Sequence, residues 1–183
     1  MIKIMAAIAV LLAAGCSSGS MGILGGSLLS RPYSYNAYKS DPVLVFTSDF
    51  SKGSAFFVNF DPSTVNDSSK DFKSGRNFMY VGSVNNYGRL LFGYYIPATP
   101  EQKEFTIQVP ADQVIVVRAQ YSYIEGGECG PVQLPFTPKK GHTYKVNMNE
   151  GTLHFGSCFI SINDANNPKS PTIWSDAELV RYR

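Results

Sequence analysis

His142 and His154 are the only histidines in the chain, and imidazole is the side chain best suited to acid–base work and metal ligation near neutral pH. Together with Glu125 and Glu128, which flank Gly126-Gly127, they are the residues from which a metal site could be assembled, since such a site needs three or four converging ligands. Their settings argue against it. His142 follows the turn glycine Gly141 and is expected to face solvent. His154 alternates with Leu153 and Phe155 and is expected to point out of the core, and the two glutamates read as a solvated hairpin tip. No metal and no cofactor is expected. Asp41, Asp49, Asp61, Asp67 and Asp71 could supply the paired carboxylates of glycoside hydrolysis. They fall in turns, however, where an aspartate caps its own backbone. A Ser-x-x-Lys nucleophile and a phosphate-cradling glycine loop are missing. No catalytic residue is assigned.

The cysteines sort by position. Cys129 and Cys158 lack the C-x-x-C spacing of a redox pair and have no histidine at ligand spacing. In an exported chain such a pair reads as a structural disulfide. It would close a loop of about 30 residues and contribute roughly 3–4 kcal/mol by chain entropy. Tyrosines offer a different chemistry. Tyr33, Tyr35 and Tyr38 lie near the start of the chain, and Tyr87, Tyr94, Tyr95, Tyr121 and Tyr123 on expected strands or turns. Tyrosine is a good contact residue because its ring orders at low entropic cost. Most of these rings are expected to serve the core or its rim.

Cys16 stands apart from both groups. One positive charge at Lys3 precedes an apolar run from Ile4 to Ala14, which ends in Leu12-Ala13-Ala14-Gly15-Cys16. A basic start, an apolar core of about 7–15 residues and small residues at a cut site are the pattern of a secretory signal peptide. The run falls short of the roughly 20 residues that a membrane-spanning helix needs. The cysteine directly after the small residues resembles the lipobox of bacterial lipoproteins. That resemblance implies cleavage before Cys16, a diacylglycerol on its sulfur, and often an acyl chain such as palmitate on the new amino terminus. Ser17-Ser18-Gly19-Ser20 comes next as a flexible start to a tether. Residue 17 is Ser rather than Asp, which by the common sorting rule implies the outer membrane, with the domain facing either the periplasm or the cell surface.

Composition bounds the chain beyond the anchor. From Cys16 to Arg183 it is long enough for one domain with a proper core. Charged residues make up 16% and the formal net charge is +2; without a basic run, nucleic acid is not an expected partner. The 12 Phe and 11 Tyr favour strands, and 16 Gly with 11 Pro supply turns. Residues 1–15 are therefore taken as signal peptide, 16–42 as the lipidated cysteine and a flexible tether, and 43–183 as a β domain.

Within the domain the strand signals are local. Val43–Thr47 and Ala55–Phe60 are apolar runs bounded by turn residues, and residues 61–77 read as a loop. Phe78–Ser83 and Arg89–Tyr95 are expected to form a hairpin about Asn85-Asn86-Tyr87-Gly88. Alternation then becomes clear. Phe105, Ile107 and Val109 share one face; Val114–Ile124 is a long strand. Val132, Leu134 and Phe136 share a face, with Pro135 marking an edge or a bulge. Tyr144, Val146 and Met148 alternate with Lys145, Asn147 and Asn149. Leu153 and Phe155 differ in parity from Cys158, Ile160 and Ile162, which calls for a bulge near Gly156-Ser157. The tail is ambiguous: Ser175-Asp176-Ala177-Glu178 fits a capping box, whereas Leu179–Tyr182 fits a strand.

Roughly residues 54–164 resemble a recurring group of bacterial lipoproteins of unknown function, among them small β-sandwich domains related to the domain of unknown function numbered 2846. The cues are Ala55–Phe60 as opening strand, Tyr80–Ser83 followed by Leu90–Tyr95, Val109-Pro110-Ala111 before Val114–Val117, and Phe136–Tyr144 as a closing aromatic–turn–Gly–x–x–Tyr hairpin. The turn glycine usual after Pro110 is replaced here by Ala111-Asp112. These motifs are architectural, so the resemblance carries over no functional residue. The expected fold is an all-β antiparallel sandwich of about nine short strands, with a closed barrel as the alternative. The expected role is a non-enzymatic binding or structural module of the cell envelope. It would be held to the membrane by lipid on Cys16 and would contact an envelope protein or a cell-wall component. The alternative is an envelope hydrolase, or an inhibitor of one, acting at the cell wall.

Overall fold

Phe46, Phe56 and Phe105 meet at the centre of the domain, with ring centroids 5.0 Å apart for Phe46–Phe56 and 4.9 Å for the stacked Phe46–Phe105 pair. They come from two different sheets. The computed structural model describes residues 31–50, 53–65, 77–84, 89–91, 94–96, 102–122, 127–151, 156–179 and 181–182. The stretch expected to hold the signal peptide, Cys16 and the first part of the tether lies outside these residues, as do Asp67, Asp71, Tyr87, Tyr123, Glu125 and His154.

The first sheet runs β1 (Arg31–Pro32), β4 (Met79–Val84), β3 (Ser54–Asn59), β8 (Ile115–Ser122), β9 (Gly127–Phe136), β14 (Arg181–Tyr182). The second runs β12 (Ile173–Trp174), β11 (Ser157–Asp164), β10 (Thr143–Gly151), β2 (Val43–Ser48), β7 (Phe105–Gln108), with β13 (Glu178–Leu179) also on β11. The two pack face to face as a β-sandwich, all-β and dominated by antiparallel pairs, as the alternating pattern implies. Two pairs are parallel: β1 with β4, and β2 with β10. β5 (Arg89–Leu91) and β6 (Tyr94–Ile96) pair with each other instead of forming one strand that answers β4.

The alternation translates directly into burial. Tyr144, Val146 and Met148 of β10, Cys158, Ile160 and Ile162 of β11, and Val132, Leu134 and Phe136 of β9 all face the shared core. The sheets are tied across this core by the phenylalanine cluster at one end and by Phe136 on Tyr144, centroids 5.4 Å apart. At the far end a disulfide joins Cys129 of β9 to Cys158 of β11, with Cα atoms 6.1 Å apart. Pro135 is exposed, and on its side of β9 the next strand, β14, reaches only Gly127 and Glu128. The missing N–H therefore sits on an open stretch of edge, where it disrupts no ladder. Asp112 adopts φ +57°, a left-handed conformation that aspartate tolerates better than most residues. It thus takes a turn position that would otherwise favour glycine.

Sandwiches have open seams where edge strands present unpaired backbone groups, and here both terminal segments cover them. Residues 31–42, expected to be free tether, are docked. β1 adds to β4 of the first sheet, and Tyr33 N–H donates to the Tyr80 carbonyl, 3.1 Å. The Tyr33 hydroxyl donates to the carbonyl of Gln108 on β7 of the second sheet. Val109 donates its N–H to Pro42, so the alternation of the antiparallel ladder leaves the Gln108 carbonyl on the outer side, where the phenol meets it. At the other seam the C-terminal tail crosses from β11 through β13 to β9 through β14. The tail is strand, not helix.

A candidate binding face

The two outer faces of the sandwich differ. The outer face of the first sheet is roofed. Ala55, Phe57, Phe78 and Val116 form a second buried cluster with Val65 and Tyr80 packed against it, under the ends of the 61–77 loop. Asn59 holds that roof. Its amide donates to Thr64 Oγ1 and to the Asn77 carbonyl, both at 2.9 Å, and its oxygen accepts from the Asp61 N–H. Arg118 lies beneath, with its guanidinium 5.2 Å from the centroid of the Phe78 ring. Burial pulls its pKa down to about 10, which still leaves it charged at neutral pH and attracted to the ring.

The outer face of the second sheet is polar and, among the described residues, partly exposed: Lys145 and Trp174 are exposed, Thr47, Asn147 and Asn149 half-buried, and Ser161 buried. Register places Trp174, Ser161, Asn147 and Thr47 side by side across β12, β11, β10 and β2. Paired residues project to the same side, so these four form a row. At about 4.8 Å per strand spacing the row is about 14 Å long. Phe159 and Asn149 form the next pair along, and Asp49 follows β2. The polar members are joined: Thr47 Oγ1 donates to Asn147 Oδ1 (2.9 Å), and Asn147 Nδ2 donates to Asp49 Oδ1 (2.9 Å) and Asn149 Oδ1 (2.8 Å). Asn149 Nδ2 in turn donates to Ser161 Oγ at 2.9 Å. A bonded network of this kind fixes its side chains in place. At its end Trp174 stands 57% exposed with its ring 5.4 Å from that of Phe159. The strand carrying it is pinned by Ser175, whose N–H donates to the Ile160 carbonyl while its Oγ accepts from the Ile160 N–H.

Residues singled out in the sequence take other places. His142 is not free in solvent: its Nδ1 lies 2.9 Å from Asp164 Oδ2, and its ring stacks 6.1 Å from Tyr144. Burial pushes the Asp164 carboxyl up. Hydrogen bonds from His142 and from the N–H groups of Asn166 and Asn167, with the attraction of His142, outweigh this and hold it below its ordinary value. The pair thus anchors the turn after β11. Asp41 is buried and accepts from Tyr38 N–H (2.7 Å) and Tyr35 hydroxyl (2.9 Å). Tyr33 and Tyr35 both pack edge-on to Phe60. Tyr33 is pushed above the normal phenol range by burial, then by Tyr35 and Asp41, so it stays a donor to Gln108. Asp61 caps a short 3₁₀ turn at Pro62–Thr64. Tyr121 stacks on Phe50 at 4.1 Å, and Tyr38 is 73% exposed. Glu128 lies in β9 opposite Arg181, and Tyr94 and Tyr95 in β6. Among the described residues, no three of His, Cys, Asp and Glu come together as a metal-binding group, and no helix is long and apolar enough to cross a membrane.

The polar half of the open face was present in the sequence as the outward parity of Lys145, Asn147 and Asn149. Trp174 was not recognised as part of it. The only signal was an apolar pair, Ile173-Trp174, emerging from a polar, proline-containing stretch. No protein-family model, curated protein or solved structure matches the chain. The likeness to small β-sandwich lipoproteins therefore rests on its motifs.

Proposed function

We propose that the protein is a bacterial envelope lipoprotein, cut before Cys16 and held to the outer membrane by lipid on that cysteine, whose β-sandwich serves as a non-enzymatic binding module. The observation that carries the binding role is the contrast between the two outer faces. One is covered by the protein's own chain; the other presents a pre-ordered polar row ending in an exposed indole. A face of fixed, hydrogen-bonded side chains loses little entropy on taking a ligand. The alternative role in hydrolysis, or in inhibiting a hydrolase, draws on His142 and Asp164. Asp164 spends its remaining bonds on the Asn166 and Asn167 N–H groups, which favours a turn-anchoring duty for the pair.

The anchor draws support from the cleavage pattern around Cys16 and from the disulfide, which belongs to an oxidising compartment. Each buried CH₂ of a lipid contributes about 0.8 kcal/mol, so one chain holds marginally and two or three hold firmly. Replacing Cys16 with serine is expected to release or mislocalise the protein on membrane fractionation. Complete retention of the Cys16→Ser variant in the membrane fraction would refute the anchor.

A further inference from the structure

Trp174 is the only tryptophan of the chain, and it lies in the open on a short edge strand beside a row of amides and hydroxyls. Three features of this face restrict what could cover it. The first is charge. Among the described residues, the register places Lys145 on this face and Asp49 joins it through Asn147; the two are of opposite sign, so they offer no excess charge to draw a polyanion or an acidic peptide. The second is the extent of apolar surface. Trp174, with the half-buried Phe159 behind it, is a single aromatic platform, whereas a stable protein interface needs an apolar core within about 800 Å² per partner.

The third is the donor–acceptor balance. The network uses up amide donors: both Asn147 and Asn149 commit their Nδ2 groups to protein acceptors. What it leaves is acceptor capacity, because an amide oxygen has two lone pairs and a carboxylate about four sites, and Asn147 Oδ1, Asn149 Oδ1 and Asp49 Oδ1 each take one bond from the network. A matching ligand is uncharged, rich in hydroxyl donors and has a flat C–H face to lay on an indole. Pyranose rings have all three properties.

We propose that the outer face of the second sheet binds an uncharged glycan strand, one sugar ring lying on Trp174 and its neighbours donating hydroxyls to Asn147, Asn149 and Asp49. The proposal rests on the reading of the domain as a binding module and names its ligand class. Because Trp174 is the sole indole, its fluorescence reports the site without a label.

The test uses the full chain in a polyoxyethylene detergent, which carries no sugar. The probes are the hexamer of β-1,4-linked N-acetylglucosamine and cellohexaose, with a hexagalacturonate as the charged counterpart. The expected result is a saturable change in Trp174 emission with one or both neutral probes, with Kd below about 1 mM, and none with the galacturonate. By calorimetry, Trp174→Ala is expected to weaken binding roughly tenfold or more, the scale of a tryptophan hot spot, with the melting midpoint lowered by no more than about 4 °C because the ring is more than half exposed. Asn147→Leu keeps the size of the side chain while removing the Oδ1 acceptor offered to the ligand, and should weaken binding as well. Absence of binding by both neutral probes up to about 10 mM, or equally tight binding by Trp174→Ala, overturns the proposal. If both probes fail while a photo-crosslinker at Lys145 captures one discrete envelope protein in cells, the glycan is wrong and the binding-module reading survives. If that crosslinker also captures nothing, both fall.

Discussion

Reducing the Cys129–Cys158 bond and replacing both cysteines with alanine perturb the domain in separable ways. The bond spans 29 residues of sequence, and its loss returns to the unfolded chain a loop entropy equivalent to about 3.6 kcal/mol. Reduction removes only that constraint. The double alanine variant also deletes two sulfurs from positions 2% and 0% exposed, which adds roughly 1 kcal/mol per buried atom. Domains of this size have about 5–15 kcal/mol in total, so either change takes a large share. In urea, with a slope near 2 kcal/mol/M, the reduced protein should unfold about 2 M earlier than the oxidised one, and the double variant earlier still. The loss should also be local at first. The tail strands flank both cysteines, Glu178 pairing with Cys158 and Arg181 with Glu128. Amides of β13 and β14 should therefore lose hydrogen-exchange protection on reduction before those of β2 and β3 at the opposite end. A midpoint shift below about 0.5 M, or tail exchange unaffected by reduction, would refute the view that this bridge locks the two sheets at the C-terminal seam.

Two glycines and one carboxylate give further tests. A Cβ at Gly82 would stand 2.9 to 3.1 Å from the Phe105 ring, whereas one at Gly141 would meet nothing within 4 Å. Since Phe105 is wedged against Phe46 and Phe56, Gly82→Ala should cost about 1–3 kcal/mol by overpacking on top of the strain of its φ of +155°, and Gly141→Ala about 1 kcal/mol through its φ of +77° alone; equal losses on thermal melting would contradict this packing. Asp164 is held below the ordinary carboxylate value, so its contribution is present above that value and fades as pH falls through its folded pKa. Melting midpoints of Asp164→Asn should thus lie below wild type at neutral pH and converge on it below about pH 4; parallel curves would show that the Asp164 carboxylate does not contribute.

The parts of the fold legible in the sequence were those with a short-range period. Alternation named the inward residues of β7, β9, β10 and β11, and the two cysteines emerged as a pair once Cys16 was set apart. What escaped was partner choice. The direction of β2 against β10 is a property of two strands almost a hundred residues apart, and period-two alternation looks the same in a parallel or an antiparallel neighbour. Arg89–Tyr95 was strand-like, but nothing local showed that it would turn back on itself. The docked stretch 31–42 failed for a related reason. Its anchors, Tyr33 and Tyr35, follow no period, and their partners Phe60, Tyr80 and Gln108 lie far along the chain. The composition of the stretch, with three Tyr, two Ser and two Pro in twelve residues, is that of a linker. Trp174 was hidden because a two-residue strand is too short to show alternation.

Closure of the two seams bears on how the domain would work. An open sandwich edge invites pairing with another chain, and residues 31–42, a strap, and the tail occupy those edges, while among the described residues the outer face of the second sheet stays partly exposed. The strap begins on β4 of the first sheet, at the seam opposite the disulfide. The tail makes the other boundary, and its first strand, β12, is also the strand that displays Trp174. The exposed indole is therefore fixed by the same segment that closes the seam: Ser175 bonds Ile160, and four residues later Leu179 pairs with Ser157. A tail that served closure alone would have no need of a large apolar ring facing water, since β13 and β14 already make the crossing. Seam closure leaves the position of that ring at the head of the polar row without a cause, and a ligand on the open face would supply one.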